Sequence, residues 1–358
     1  MKFGSYKSLK LYKYFWHNVL LHIPEHQRFV FKRLNWSFYQ LNLDLVSNDP
    51  LYVLALHNKI ESIIAYKGKK NITAGYLGSS RGGHLHLVKY FQELDPEMCK
   101  ELVWKACKNS GRSSDRNSIN YLLTQTNYIY KISSLRYAVF EGACHSGHLD
   151  LVKEFLPPDI HDLGDVDYSL YNYCIYLAAR YNHTVVLNFL LSHAKLPDNA
   201  FDSVLAGACR SNNFKLLEES MEKGSRAFNY GLMEASKAGN FDMMKKLLEL
   251  GASKTNRALN GLPRCANLAK IVEGAKILGE SIKFNEDGLE NAITSRNLNV
   301  IKFVYQNLSE RLSKYIIEDF IMMTCAEGYP EIAETLMDWS QTSEICGHCK
   351  GKYHFNSI

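Results

Sequence analysis

No run of eighteen apolar residues occurs in this chain, so the sequence offers no membrane span. The basic start (Lys2, Lys7, Lys10, Lys13) is followed by YFWHNVLLHI, an apolar stretch interrupted by His17 and Asn18 and lacking a small-residue cleavage site. A secretory signal needs a cleaner apolar region, so the expectation is an intracellular, cytoplasmic protein. Charge of one sign is scarce: 42 basic against 37 acidic residues leave +5, an excess that reads as mild and spread out. That gives weak support for nucleic acid or an anionic membrane as partner. Nine cysteines, an odd number scattered over a long chain, argue against a disulfide framework. No GxxxxGK[ST] phosphate loop, no Ser/His/Asp set and no paired carboxylates stand out, so no enzyme is expected. The short basic spots, KGKK from Lys67 to Lys70 and Lys350 with Lys352, read as solvated loops.

What is present is repetition. The chain is 46% hydrophobic and 22% charged, enough for a core. ACHSGHLDLVKEFL (143–156) returns as SSRGGHLHLVKYF (79–91), AARYNHTVVLNFLL (178–191), ACRSNNFKLLEESM (208–221) and ASKAGNFDMMKKLLELGAS (235–253). Weaker copies begin at positions 54, 262, 292 and 324, and one at 106 fits if GRSSD is an insertion. The shared junction falls at Asn58, Gly83, Asp115, Gly147, Asn182, Asn212, Gly239, Ala266, Arg296 and Gly328, with spacings between 25 and 35 residues. Self-similarity over such a narrow range marks a repeat architecture.

Each unit has a physical reading. After the junction, Leu151, Val152, Phe155 and Leu156 form one apolar stripe, and Asp150, Lys153 and Glu154 face away. Before it, a helix ends in a small pair such as Ala143-Cys144, Ala178-Ala179, Ala208-Cys209 or Ala235-Ser236, which lets helices approach closely. Gly or Asn between them suits a left-handed cap. One hairpin cannot bury its own stripe, whereas a stack can. The expected fold is all-α, a solenoid of stacked helix-turn-helix units over residues 46–340, behind an aromatic-rich N-terminal helical cap at 1–45 and ahead of a tail at 341–358.

At these residues the sequence resembles the ankyrin-repeat family. GHLDLVKEFL and GNFDMMKKLLELGAS match the second-helix half of such a repeat, including the terminal Leu247, Leu248, Gly251 and Ala252. The chain departs from the family in the first half of each unit, where Thr-Pro-Leu-His is missing from every copy. Degenerate units rich in Tyr, Asn and Lys are similar to ankyrin proteins of large DNA viruses. Tetratricopeptide repeats share the length, but their Trp, Tyr and Pro signature is not seen. The resemblance implies a protein-binding scaffold, and it implies that His84, His148 and His183, each just after a junction, bond backbone rather than catalyse.

Cys144, Cys209 and Cys325 sit three residues before a junction, joined by Cys107 if the insertion is accepted, and read as small buried hydrophobes. Cys346 and Cys349 in SEICGHCKGKYHF form a CxxC pair. A thioredoxin-type dithiol needs a βαβ context that the preceding segment lacks, which argues against redox chemistry. With His354, or His348 in its place, the pair supplies three zinc ligands, and a closed site needs a fourth from Cys325 or another chain. Two free thiols in a short tail is the favoured reading. The function expected is a non-enzymatic scaffold that binds a protein partner. The alternatives are a nucleic-acid-binding repeat protein, suggested by 22 tyrosines and the basic excess, and a zinc-binding tail with a separate role. Tyr90, Tyr130, Tyr168, Tyr171 and Tyr173 are the tyrosines considered for a binding surface, with burial between repeats as the equal alternative.

Overall fold

The computed structural model describes residues 50–66, 72–125, 131–156, 165–192, 196, 199–310, 312–326 and 330–340. The expected cap (1–45) and the tail lie outside these residues. The chain divides between Asn48 and Asp49, and all the described residues belong to the second unit.

This unit is all-helical. Among the described residues there is no strand, only an isolated parallel bridge between Phe284 and Leu308. The helices pair in chain order: α1 Pro50–Leu56 with α2 Ile60–Ala65, α3 Ile72–Gly82 with α4 Leu85–Leu94, and α5 Pro96–Ser113 with α6 Arg116–Leu123. Then come α7 Ile132–Ser146 with α8 Leu149–Phe155, α9 Asp165–Arg180 with α10 Thr184–Ser192, and α11 Ala200–Ser211 with α12 Phe214–Glu222. The rest are α13 Phe228–Ala238 with α14 Phe241–Glu249, α15 Thr255–Gly261 with α16 Leu268–Leu278, α17 Glu286–Ser295 with α18 Leu298–Gln306, and α19 Lys314–Ala326 with α20 Pro330–Ser340. A 3-10 turn, Leu262–Cys265, extends α15.

The first helices of the pairs contact one another in succession, from α1 against α3 through to α15 against α17. Small residues make this possible. A Cβ on Gly142 would lie 2.0 Å from the Lys108 carbonyl oxygen, one on Gly111 2.3 Å from that of Val139, and one on Gly78 2.4 Å from that of Tyr52. The expected small pairs are fully buried at Ala143-Cys144, Ala178-Ala179, Ala208-Cys209 and Ala235-Ser236. The second helices bury their apolar stripe: Leu151, Val152 and Phe155 are inside, and Asp150, Lys153 and Glu154 are exposed.

The left-handed residue appears where the pattern predicts it at eight junctions: Asn58, Gly83, Gly147, Asn182, Asn212, Gly239, Ala266 and Arg296 all have positive φ. Gly328 lies outside the described residues. The third junction is a correction. Ser114 (φ 61°), not Asp115, takes the left-handed conformation, and α5 runs through Gly111-Arg112-Ser113 without an insertion. Asp115 instead caps α6 by accepting from the Ser118 amide at 2.7 Å. Counted from Ser114, the residue matching Cys144 is Gly111, so Cys107 does not belong to that column.

Candidate functional site

The turns are built from local chemistry. A left-handed residue at the end of a helix turns the next amide back onto the carbonyl five residues earlier. His148 N donates to Ala143 O at 3.1 Å, His183 N to Ala178 O at 2.9 Å, Asn213 N to Ala208 O at 2.9 Å and Asn240 N to Ala235 O at 3.0 Å. These carbonyls belong to the small residues of the helix contact, so one position serves both the turn and the packing.

At several turns the next residue ties its hairpin to the one before. His84 Nε2 lies 2.9 Å from Leu56 O, His148 Nε2 3.0 Å from Arg112 O, and His183 Nε2 3.0 Å from His145 O. In each case the carbonyl stands two residues before the preceding left-handed residue. The histidines therefore bond backbone, as the resemblance implied. Asparagine fills the position further along. Asn240 Nδ2 donates to Cys209 O and Arg210 O, both at 3.0 Å, and Asn297 Nδ2 to Ala266 O at 3.0 Å. Asn213, Asn267 and Asn297 also cap their own second helices, a task that His84 and His148 do not perform.

With the register corrected at Ser114, a second column emerges that motif reading missed. Two residues before the left-handed position stand Arg81, Arg112, His145, Arg180, Arg210, Lys237 and Arg264, in seven consecutive hairpins. All are half-buried except Arg210, which is 8% exposed. In the seven residues preceding each of these turns there are seven Lys and Arg, the column's six and Lys108, against two acids, Glu141 and Glu234. That is an excess of five, equal to the net +5 of the whole chain. A local basic excess thus sits at one end of the first helices, and residues 1–48 of the sequence carry another of the same size.

Glu234 organises the centre of this column. Lys237 Nζ lies 2.7 Å from its Oε1, the Tyr176 hydroxyl donates to its Oε2 at 2.6 Å, and Arg210 Nη1 stands 4.0 Å away. Burial acts to raise the pKa of Glu234. Lys237 and Arg210, with the hydrogen bonds from Lys237 and Tyr176, outweigh it and hold the carboxyl below its ordinary value. Burial, then Arg180, and more weakly Arg264 act to lower the pKa of Arg210, against Glu234 and Tyr176. Three arginines from three hairpins therefore share one field. Arg210 Nη1 is buried without a hydrogen bond. At the other acid, Lys108 Nζ lies 2.5 Å from Glu141 Oε1.

The cysteines behave as small hydrophobes. Cys144 and Cys209 are fully buried, and burial pushes the thiols of Cys99 and Cys107 up to about 12. The side chain of Cys325 and the ligand set Cys346, Cys349 and His354, with His348, lie outside the described residues. Among the described residues no three His, Cys, Asp or Glu side chains gather as a metal site, and no helix is long and apolar enough to cross a membrane. Of the tyrosines, Tyr173 is exposed and Tyr90 half-buried. Tyr171 is buried and donates to Leu190 O at 2.8 Å, so it packs between helices. Tyr130 and the Tyr168 side chain lie outside the described residues.

No family model matches the chain, and no curated protein matches it.

Proposed function

We propose that the chain is a non-enzymatic scaffold for a protein partner, built as a solenoid of ankyrin-like hairpins. The observation that carries this reading is the repeated turn, with a left-handed residue at each described turn and, at several of them, a His or Asn tie to the hairpin before. Units joined this way contact mainly their neighbours and present a long surface on which one side-chain position recurs. The recurring position is charged and half-buried. It holds no arranged nucleophile with a base, so it is suited to recognition.

The test is affinity capture from cells with mass spectrometry, using the intact chain beside Cys346→Ser/Cys349→Ser. The expected result is a discrete protein partner with both. A partner lost with the cysteines moves function to the tail and makes zinc content the next measurement. Recovery of ribonucleoprotein alone, abolished by nuclease, replaces the scaffold reading with RNA binding.

A further inference from the structure

We infer that the basic column docks an extended acidic segment of the partner protein, laid across the first helices from Arg81 to Arg264. The inference rests on the scaffold reading and adds the chemistry of what the scaffold holds.

Three observations support it. First, the column brings six Lys and Arg to one register, a local basic excess that attracts acidic groups. Second, the strip has a regular step. Its members sit at one register on helices that contact their neighbours in succession, and packed helices lie about 8–10 Å apart. An extended or polyproline-type chain advances about 9–10 Å in three residues. A segment with an acidic residue at every third position therefore presents one carboxylate per hairpin on a single face. Third, the central arginine is pre-positioned. Arg210 is buried beside Glu234, between Arg180 and Lys237 on the neighbouring rungs, with Arg264 one rung further. With Arg210 fixed inside the fold, an incoming carboxylate meets the guanidinium groups of the half-buried Arg180 and Arg264, which pair with it in a fork.

Nucleic acid is the competing anion. Its phosphates follow the backbone continuously and call for stacking surfaces between the charges. The ring of Tyr181, beside Arg180, is already packed against His145 and Arg180 rather than left open for a base, which favours a peptide.

The experiment uses the full chain and fluorescence anisotropy. The probe is a labelled peptide of about six Glu-Pro-Ser triplets, which sets one charge per helix step. It is compared with a peptide of the same composition whose glutamates are contiguous, and with a single-stranded oligonucleotide of equal charge. The triplet peptide is expected to bind tightest, with affinity falling as salt rises. Arg180→Glu/Arg264→Glu is expected to weaken it about tenfold or more. Arg180→Lys/Arg264→Lys retains the charge but not the fork and is expected to weaken binding less than the glutamate pair does, with unchanged helical circular dichroism. Lys215→Glu/Lys245→Glu alters exposed lysines of the second helices and is expected to leave affinity unchanged.

Equal weakening by the second-helix variant, no preference between the two peptides, or tighter binding of the oligonucleotide overturns the proposal. A captured protein partner that survives Arg180→Glu/Arg264→Glu also overturns the acidic-segment inference, while the scaffold reading stands. Capture of no protein partner removes the scaffold reading itself.

Discussion

The Tyr176 hydroxyl donates a 2.6 Å hydrogen bond to Glu234 Oε2, 58 residues further along the chain and two hairpins away. The intervening first helix, α11, carries Gly207, where a Cβ would lie 2.7 Å from the Tyr176 carbonyl oxygen and 2.5 Å from Ala179 Cβ. Close packing at this glycine shortens the span, so one side chain links α9 to α13. Gly207→Ala forces these backbones apart and is expected to cost about 1–3 kcal/mol, read as a lower midpoint in chemical denaturation.

Glu234 makes the stability of this centre depend on pH. Its folded pKa lies below its ordinary value of 4.5. A depressed carboxyl contributes stability above that ordinary value and loses it as pH falls through the folded value. Glu234→Gln is therefore expected to cost about 3 kcal/mol at neutral pH, since it leaves Arg210 and Lys237 without their counter-charge. The gap between wild type and variant should close as pH falls below 4.5. A gap that stays constant from neutral pH into strong acid would refute the ion-pair account.

The left-handed turns divide into those with glycine and those without. Ala266 has φ 57° and no side chain able to bond locally, so Ala266→Gly relieves strain and is expected to stabilise by about 1 kcal/mol. Gly147 has φ 78°, and a Cβ there would meet His183 Nδ1 at 2.6 Å. Gly147→Ala is expected to destabilise by about 1–2 kcal/mol. Thermal unfolding of the two variants should move in opposite directions.

The tie from His183 to His145 O joins neighbouring hairpins. His183→Ala is expected to cost about 1–2 kcal/mol, the loss of one hydrogen bond and of the satisfaction of a half-buried carbonyl. His183→Asn should cost less, because Asn occupies this position at Asn240 and reaches the same kind of carbonyl. Amide hydrogen exchange in α9 and α10 reads the difference.

Burial holds the thiols of Cys99 and Cys107 near 12 and raises that of Cys209 as well. Few of these groups are thiolate at pH 8, and the thiolate is the reactive form. Alkylation at that pH is expected to leave all three unmodified until denaturant opens the fold. Mass spectrometry of the labelled peptides checks this, and rapid labelling in the native state would contradict the packing described.

Much of the helical plan was legible because its signals are local. Positive φ at Asn182, Gly147 or Gly239 follows from residue chemistry at the junction, and the stripe of Leu151, Val152 and Phe155 follows from helical period. Asp115 shows the limit. Aspartate is a common cap, but there it starts α6 while serine ends α5, and a register set by the wrong residue invents an insertion. That one-residue shift also hid the basic column, whose members share a register only when Ser114 is the third turn.

The sequence by itself determined where each hairpin turns and which helix faces are apolar, because both depend on residues within one or two turns of each other. The tertiary structure decided what meets across hairpins: His183 with His145 O, Tyr176 with Glu234, Arg210 with Arg180 and Arg264. Those meetings depend on how closely successive first helices stack, and buried glycines such as Gly142 and Gly207 set that distance by removing the one atom that would keep the backbones apart.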